Sequence, residues 1–289
     1  MRNNLSILIP TYNDQCTELV RVLAAQLHSM GNDIRWEIIV ADDGSYDEEV
    51  LRKNREIGNI DGCKFIERKQ NCGRAAIRNF LASQAQHDTL LYIDSDMTIV
   101  RNDFVKKYLT SDAPVVYGGY VVAGKDDSLR YRYEKACEKY HTVEYRRRTP
   151  YKDFHTSNYM IEKAIMTAHP LDERFTKYGY EDVLYGKQLQ DAGIEIVHID
   201  NPTGFATFES NAEFIRKTDE AIATLLQFRH ELSGYSRLLA MKERMEKAHI
   251  AGFVRAIGKC IIPILRKNLC HKNGASLWQL RLYKIFKIA

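Results

Sequence analysis

Over the first 120 or so positions, short apolar runs alternate with longer stretches whose apolar residues recur at helical spacing. LSILI at 5–9, WEIIV at 36–40, CKFIE at 63–67 and TLLYI at 89–93 have strand length and polar or turn-forming flanks. Between them, QCTELVRVLAAQLHSM at 15–30, closed by Gly31, and segments near 46–57 and 74–86 carry the helical period. Such alternation predicts βαβ units and a mostly parallel central sheet flanked by helices, an α/β architecture. A charged helix is expected over 127–146, then short strands mixed with a helix over 181–192 that Gly193 closes. From 211 onward the pattern is almost wholly helical. We therefore expect an α/β domain over 1–210 and a helical C-terminal extension over 211–289, with no internal repeat or low-complexity segment.

In open sheets of this kind, ligands sit beyond the carboxyl ends of the strands. Three strand ends here are polar: Pro10-Thr11-Tyr12-Asn13, Asp42-Asp43-Gly44-Ser45 and Asp94-Ser95-Asp96. Two carboxylates one residue apart offer the hard oxygen ligands that a divalent cation such as Mn²⁺ or Mg²⁺ takes, though solvated turn acids have the same spacing. Asn71-Cys72-Gly73 opens a helix that carries Arg74 and Arg78 on one face, an arrangement suited to a diphosphate. Glycine-rich phosphate loops of the G-x-x-x-x-G-K-[ST] or G-x-G-x-x-G type are absent from the sequence. Glu181-Asp182 at the start of the 181–192 helix fits either acids that favour a helix N-terminus or a general base, and spacing does not separate the two.

Composition adds a compartment and a charge asymmetry. Six cysteines form no C-x-x-C pair, and the apolar run near the N-terminus is too short for a signal sequence, so a reducing, cytoplasmic location is expected. The net charge of +4 resides in the tail. No acidic residue follows Glu246, whereas Arg255, Lys259, Arg266, Lys267, Lys272, Arg281, Lys284 and Lys287 do. Over 250–265, Ile250, Phe253, Val254, Ile257, Ile261 and Ile264 recur at helical spacing, with Arg255, Lys259 and Arg266 on another face. This is the pattern of a basic amphipathic helix able to lie on an anionic membrane surface, too short, too charged and too interrupted by Pro263 to span a bilayer. Residues 277–289 repeat the mixture, with Trp278 and Tyr283 as interfacial anchors. The alternative is that these helices pack on the main domain or across a homo-oligomer. A nucleic-acid partner is not expected, because no aromatic-basic platform occurs in the body of the chain.

Taken together, SILIPTYN, IIVADDGS, NCGRAAIRN, YIDSDM and GYEDVLYGKQL resemble, in order and spacing over about residues 4–200, the family 2 glycosyltransferases with the GT-A (Rossmann-like) fold. The resemblance implies a metal-dependent, inverting transfer of sugar from a nucleotide sugar, most simply UDP-linked, to a hydroxyl of a glycan or lipid-linked acceptor, in cell-surface polysaccharide synthesis. By similarity, Pro10, Thr11 and Tyr12 would cradle the base, Asp42 would accept a hydrogen bond from it, and Arg78 would lie near the ribose or diphosphate. Asn13, Asp43, Asn71, Gly73 and Ser95 would complete the nucleotide site. Asp94 would reach the ribose side and share the metal, Asp96 would bind the metal directly, and Asp182 would be the catalytic base with Glu181 orienting it or the acceptor. A third metal ligand is expected near 205, where Phe205 stands. His198 is the nearest histidine, and water is the alternative. The polar His155-Thr156-Ser157-Asn158 falls where such enzymes shape the acceptor and diphosphate pocket, though its polarity equally fits an ordinary turn, and Arg146–Arg148 would form a basic lid or a solvated loop. The rival readings are a nucleotidyltransferase of similar topology, which wants a glycine- and lysine-rich segment where TYNDQCTE stands, and a non-catalytic binding module.

Overall fold

The computed structural model describes residues 2–271 and 275–289, so Lys272 of the basic tail lies outside the described residues. Side-chain alternation in the first strand sets up two apolar layers. Leu5, Ile7 and Ile9 face one cluster and Leu8 the other, all fully buried, as the period of two along a strand requires.

In chain order the first half comprises β1 (Asn4–Thr11), α1 (Thr17–His28), β2 (Arg35–Asp42), α2 (Glu48–Arg55), β3 (Cys63–Glu67), α3 (Arg74–Gln84), β4 (Thr89–Ile93), β5 (Met97–Ile99), α4 (Phe104–Leu109), β6 (Val115–Tyr117) and β7 (Tyr120–Val122). There follow α5 (Leu129–Cys137), α6 (Val143–Arg146), β8 (Asn158–Glu162), α7 (Lys163–Ala168), α8 (Glu181–Asp191), β9 (Ile196–His198) and β10 (Thr203–Phe205). The C-terminal helices are α9 (Asn211–Gln227), α10 (Arg237–Lys247), α11 (Ala251–Cys270) and α12 (Leu277–Ile288).

The main sheet has seven strands in the order β3-β2-β1-β4-β8-β6-β9. Only β8 opposes the others, pairing antiparallel with both β4 and β6. Its register sets Asn158 opposite Ile93, so the chain enters β8 beside the end of β4. That reversal brings residues 155–158 to the rim where the polar strand ends gather. A second sheet, β5-β10-β7, is built from three-residue strands, too short to leave a periodic signature in the sequence.

The single helix expected over 127–146 is instead two. Ser128 caps α5, a short 3₁₀ turn covers Glu138–Tyr140, and the Thr142 side chain accepts from Tyr145 N–H to start α6. Pro263 does not interrupt α11, which runs on to Cys270. An internal proline costs about 3 kcal/mol. Beyond it, however, Leu265 and Leu269 are buried against Leu280 and Tyr283 of α12, and each buried leucine contributes about 1.5–3 kcal/mol.

The C-terminal helices pack on the domain. Asp219 of α9 holds Arg266, accepts from the Tyr283 hydroxyl at 2.7 Å and pairs with Lys287 at 3.0 Å. Val254 and Ile261 turn inward against apolar clusters, whereas Ile250, Phe253, Ile264 and Trp278 stay exposed. Among the described residues no single helix is long and apolar enough to cross a membrane.

Candidate active site

Two loops at the carboxyl ends of β1 and β2 are bound to each other. Buried Asp42 accepts from Ser45 N–H at 2.8 Å and from the Ser45 hydroxyl, which in turn accepts from Asn13 N–H at 2.6 Å. Asn13, in the left-handed region at φ 49°, accepts from Tyr46 and Asp47 N–H through its side-chain oxygen at 3.0 and 3.1 Å. Thr11 is buried and donates to the Asp14 carbonyl at 2.8 Å, while Pro10 is half-buried beside it. Clamped this way, the loops present Tyr12 and Tyr46 to solvent, edge to face with centroids 6.3 Å apart.

Asp43 organises the next loop. Its carboxylate accepts from Gly73 N–H at 2.9 Å, from Cys72 N–H and from Arg68 at 2.8 Å. Burial pushes this carboxyl up, and those donors oppose the shift. Gly44, at φ +77°, lies so close that a Cβ would meet Asn71 N at 2.7 Å, which requires glycine. Gly73, at φ +92°, then opens α3 as its N-cap, and the Asn71 side chain tightens the preceding turn by accepting from Gly73 N–H at 3.1 Å.

The two acids of Asp94-Ser95-Asp96 face different surroundings, because the chain turns there, with Met97 N–H donating to the Asp94 carbonyl. Asp94 is buried and bound by both α3 arginines, Arg78 on one carboxylate oxygen and Arg74 on the other at 2.9 Å. Arg78 is only 1% exposed, so its guanidinium sits behind Asp94 rather than open to the rim. Asp96 keeps an exposed face but is crowded by protein. That desolvation and the Asp94 and Asp14 carboxylates push its carboxyl up to about 6, opposed by Arg74 and by Lys217 of α9. Asp14, linked to the Ser95 hydroxyl, has a buried oxygen without a protein partner, and burial raises its carboxyl too.

The donor set suits a hard divalent cation. Among the described residues no three His, Cys, Asp or Glu side chains converge closely enough to hold a metal alone. Mg²⁺ and Mn²⁺ sites commonly rest on one or two carboxylates, with water and phosphate oxygens supplying the rest. Asp96 is the carboxylate placed for that, with Asp94 beside it already neutralised by arginines. His198 is not: buried in β9, it donates from Nε2 to the Pro150 carbonyl at 2.9 Å and meets Arg146 through Nδ1 at 3.2 Å. Burial lowers its pKa to about 4, and neither nitrogen is left for a metal in this arrangement. Phe205 is buried in β10. The basic run divides: Arg146 is buried on the carbonyls of Tyr117, Gly118 and Ile199, and Arg147 donates to the His198 carbonyl.

Helix α8 brings the remaining acids. Gly179 at φ +100° and Tyr180 at φ 69° turn the chain into it. Helix α9 braces that turn, Glu220 accepting from Tyr178 N–H and Thr224 donating to the Tyr178 carbonyl. Glu181 is 7% exposed; one oxygen accepts from Arg74 at 2.7 Å, and the other is buried with no protein partner. Asp182 accepts from Val183 N–H at 2.8 Å and from His155 Nδ1 at 2.7 Å. Burial alone would raise the Asp182 carboxyl, but His155, the Val183 amide and Arg74 hold it below the usual carboxylate range. Conversely, Asp182 holds His155 above an ordinary histidine despite burial.

Sequence reasoning singled out neither Asp14 nor Tyr46 nor Lys217. Asp14 directly follows PTYN and Tyr46 directly follows ADDGS, so the motif edges carried a signal. Lys217, 5.7 Å from the Tyr178 ring centroid, comes from a helix with no motif.

Solved structures share this architecture at low sequence identity. Residues 1–349 of S. aureus TarS align with 98% of this chain and 90% of that one, at TM-score 0.51 and 17% identity. Glucosyl-3-phosphoglycerate synthase from Mycobacterium tuberculosis, in complex with Mn²⁺, UDP and glucosyl-3-phosphoglycerate, gives TM-score 0.50 and 16% identity over 78% and 79% of the two chains. The mannosyltransferase PcManGT from Pyrobaculum calidifontis, in complex with GDP-Man and Mn²⁺, gives TM-score 0.50 and 15% identity over 78% of this chain and 65% of that one. The fold is thus the GT-A fold with added C-terminal helices. An uncharacterized glycosyltransferase of Haemophilus influenzae is 33% identical over 105 residues, 36% of this chain and 40% of that protein, so the match spans less than half of the relative's length. Residues 6–175, more than half of the chain and every rim strand end described above, match the sequence profile of glycosyl transferase family 2, and the chain belongs to that family.

Proposed function

We propose that the protein transfers a sugar from a nucleotide-sugar donor, UDP-linked in the simplest case, to a hydroxyl of a glycan or lipid-linked acceptor. The observation that carries this reading is the exposed Asp96 carboxylate, held near the Asp94 and Asp14 carboxylates at the end of β4 with its pKa raised to about 6. Among the described residues neither Asp96 nor Asp14 forms a salt bridge, so a divalent cation beside Asp96 would be favoured, and there it would neutralise a departing diphosphate. Tyr12 and Tyr46 would flank the base, and Asp42, Asp43, Asn13, Asn71, Gly73 and Ser95 would fix the loops around it. Arg78 would act by holding Asp94 in place for the ribose side. Lys217 of α9 adds a positive charge that acts on Asp96. The base that takes the acceptor proton is built on Asp182. Glu181, bound to Arg74 at 2.7 Å, would brace that arginine against Asp94 and so orient the site. Direct displacement by the acceptor would invert the anomeric centre.

A panel of UDP- and GDP-sugars with Mn²⁺ or Mg²⁺, scored by thermal stabilisation and nucleotide release, tests the reading. One donor should stabilise the wild type, and Asp96→Asn should abolish the metal-dependent part. Tyr12→Ala should weaken nucleotide binding by about 1–3 kcal/mol if the ring stacks on the base. The reading fails if no donor stabilises the protein, or if Asp96→Asn changes nothing. Product with the donor's anomeric configuration would remove the inverting mechanism.

The location we propose for the protein is the inner face of a membrane in cells that make surface polysaccharide. Ile250, Phe253, Ile264 and Trp278 are exposed on α11 and α12, along with the cations Lys259, Lys267 and Arg281. Co-sedimentation with anionic but not neutral vesicles, lost in Phe253→Glu/Trp278→Glu, is the expected result. Equal recovery with both vesicle types overturns it.

A further inference from the structure

Helix α9 lies outside the segment that matches the family profile, yet one of its faces closes on the site. Lys217, Glu220 and Thr224 stand three and four residues apart, so they share that face. Glu220 accepts from Tyr178 N–H at 3.3 Å and Thr224 donates to the Tyr178 carbonyl at 3.1 Å, which fixes both backbone groups of the residue before Gly179. Lys217 completes the contact, its ammonium 5.7 Å from the Tyr178 ring centroid. The guanidinium of Arg74, which binds Asp94 at 2.9 Å, lies 5.9 Å from the same centroid. One ring thus joins Lys217 to the arginine that holds the first acid of Asp94-Ser95-Asp96, and the Lys217 charge also acts on Asp96. The helix that carries it is anchored beyond the site. Two residues along, Asp219 binds Arg266 of α11 and, from α12, the Tyr283 hydroxyl at 2.7 Å and Lys287 at 3.0 Å.

Among the cations of this region, Lys217 is the one with donors to give. Arg78 is buried behind Asp94, and Arg74 is divided between Asp94 and Glu181. Arg130 of α5 is tied to buried Glu134 at 2.9 Å and packs on the Phe205 and Phe214 rings. Lys217 has one ion-pair partner among the described residues, Glu209 at 3.5 Å, longer than a charge-assisted hydrogen bond, and its side chain is 32% exposed. An ammonium carries three donors, so donors remain for a ligand. Phe205, standing where the resemblance expects a third metal ligand, brings no oxygen or nitrogen.

We propose that Lys217 binds the terminal phosphate of the donor's diphosphate, the one whose bond to the sugar breaks, as a second positive charge beside the cation at Asp96. This rests on the transferase reading above and adds a residue to it. Tyr178 precedes Glu181 by three residues and Asp182 by four, so α9 brings the ammonium to the end of the site that holds the acid pair. In the transfer the acceptor oxygen bonds to the anomeric carbon, the bond from that carbon to the phosphate oxygen breaks, and its electron pair stays on the diphosphate. Lys217 stabilises that charge without giving up a proton.

Calorimetry on the wild type and Lys217→Met tests this with UDP, or GDP where the donor panel selects it, with the monophosphate of the same nucleoside, both in Mn²⁺, and with Mn²⁺ alone. Lys217→Met keeps the aliphatic stem against Tyr178 and removes one hydrogen bond to a charged group. Diphosphate affinity should fall about 10- to 100-fold, with the monophosphate within about threefold of wild type. Mn²⁺ alone should bind equally or more tightly, because a positive charge near Asp96 has been removed. Loss of the packing of α9 on Tyr178 would instead weaken all three. Diphosphate affinity within about threefold of wild type, equal losses for diphosphate and monophosphate, or weaker Mn²⁺ binding overturns the proposal. If Lys217→Met does not fold, Glu209→Gln decides: it frees the ammonium and should tighten the diphosphate by about twofold or more, and no tightening overturns the proposal. Absence of diphosphate binding by the wild type would overturn the transferase reading itself, whereas normal wild-type binding left intact in Lys217→Met overturns the Lys217 assignment alone.

Discussion

Replacing Arg78 by methionine keeps the aliphatic stem and removes the guanidinium, which is the informative perturbation at the floor of the site. In the native protein this group is 1% exposed, binds one oxygen of Asp94 and donates to the Arg74 carbonyl at 3.0 Å. Removing one partner of a buried ion pair costs about 3–5 kcal/mol, because the remaining charge is left uncompensated. Here Asp94 retains Arg74 at 2.9 Å, and Arg74 is 43% exposed, so that remaining pair is partly screened. Methionine also relieves the burial of an Nε that has no partner. Both points favour the lower end, about 3 kcal/mol, or roughly a 150-fold shift in the folding equilibrium. Urea unfolding without nucleotide or metal should show this as a lowered midpoint at unchanged slope. In an Asp94→Asn background no unpaired charge is created, so the same Arg78→Met change should cost no more than about 1 kcal/mol. A cost below about 1 kcal/mol in the wild type, or the same cost in both backgrounds, would refute the assignment of Arg78 to holding Asp94.

Three other outcomes are expected. A Cβ at Gly186 of α8 would lie 2.2 Å from the Tyr151 carbonyl, so Gly186→Ala should destabilise by about 1–3 kcal/mol despite its better helix propensity, measured by thermal and urea unfolding. A neutral or stabilising substitution would mean that α8 does not pack on the 149–153 turn. Because Asp96 titrates at about 6 and a cation requires the carboxylate, Mn²⁺ affinity measured by calorimetry without nucleotide should be flat above pH 7 and fall about tenfold per unit well below 6; a pH-independent affinity removes Asp96 as ligand. His198 is neutral in the fold down to about 4, whereas an unfolded histidine binds its proton near 6.5. Stability should therefore be full above pH 6.5 and decline by up to roughly 1.4 kcal/mol per unit as pH falls toward 4, a decline that His198→Asn lessens.

What the sequence disclosed and what it withheld divide along the range of the interactions involved. The runs at 5–9, 36–40, 63–67 and 89–93 became β1 to β4 because alternation and turn residues act over a few positions, and the acids beyond β1, β2 and β4 do gather at one rim. The strands of β5, β7 and β10 are three residues each, too short for any period to register. Spacing alone did not tell Asp94 from Asp96; only the family resemblance assigned the first to the ribose side and the second to the metal. They differ because Arg74 and Arg78, about twenty residues earlier, neutralise the first, and nothing in the spacing of D-x-D records that pairing. The same holds for Asp182, whose partner His155 reaches it only because β8 runs against the rest of the sheet and starts at the rim. A stretch such as HTSN before an apolar run is therefore ambiguous until strand direction is known. Had β8 been parallel, the segment leading into it would sit at the opposite edge, and Asp182 would lack its imidazole. The antiparallel strand is the feature of the fold on which the Asp182–His155 pair depends, and helix α9, braced against the turn before α8, holds the other half of that pair in place.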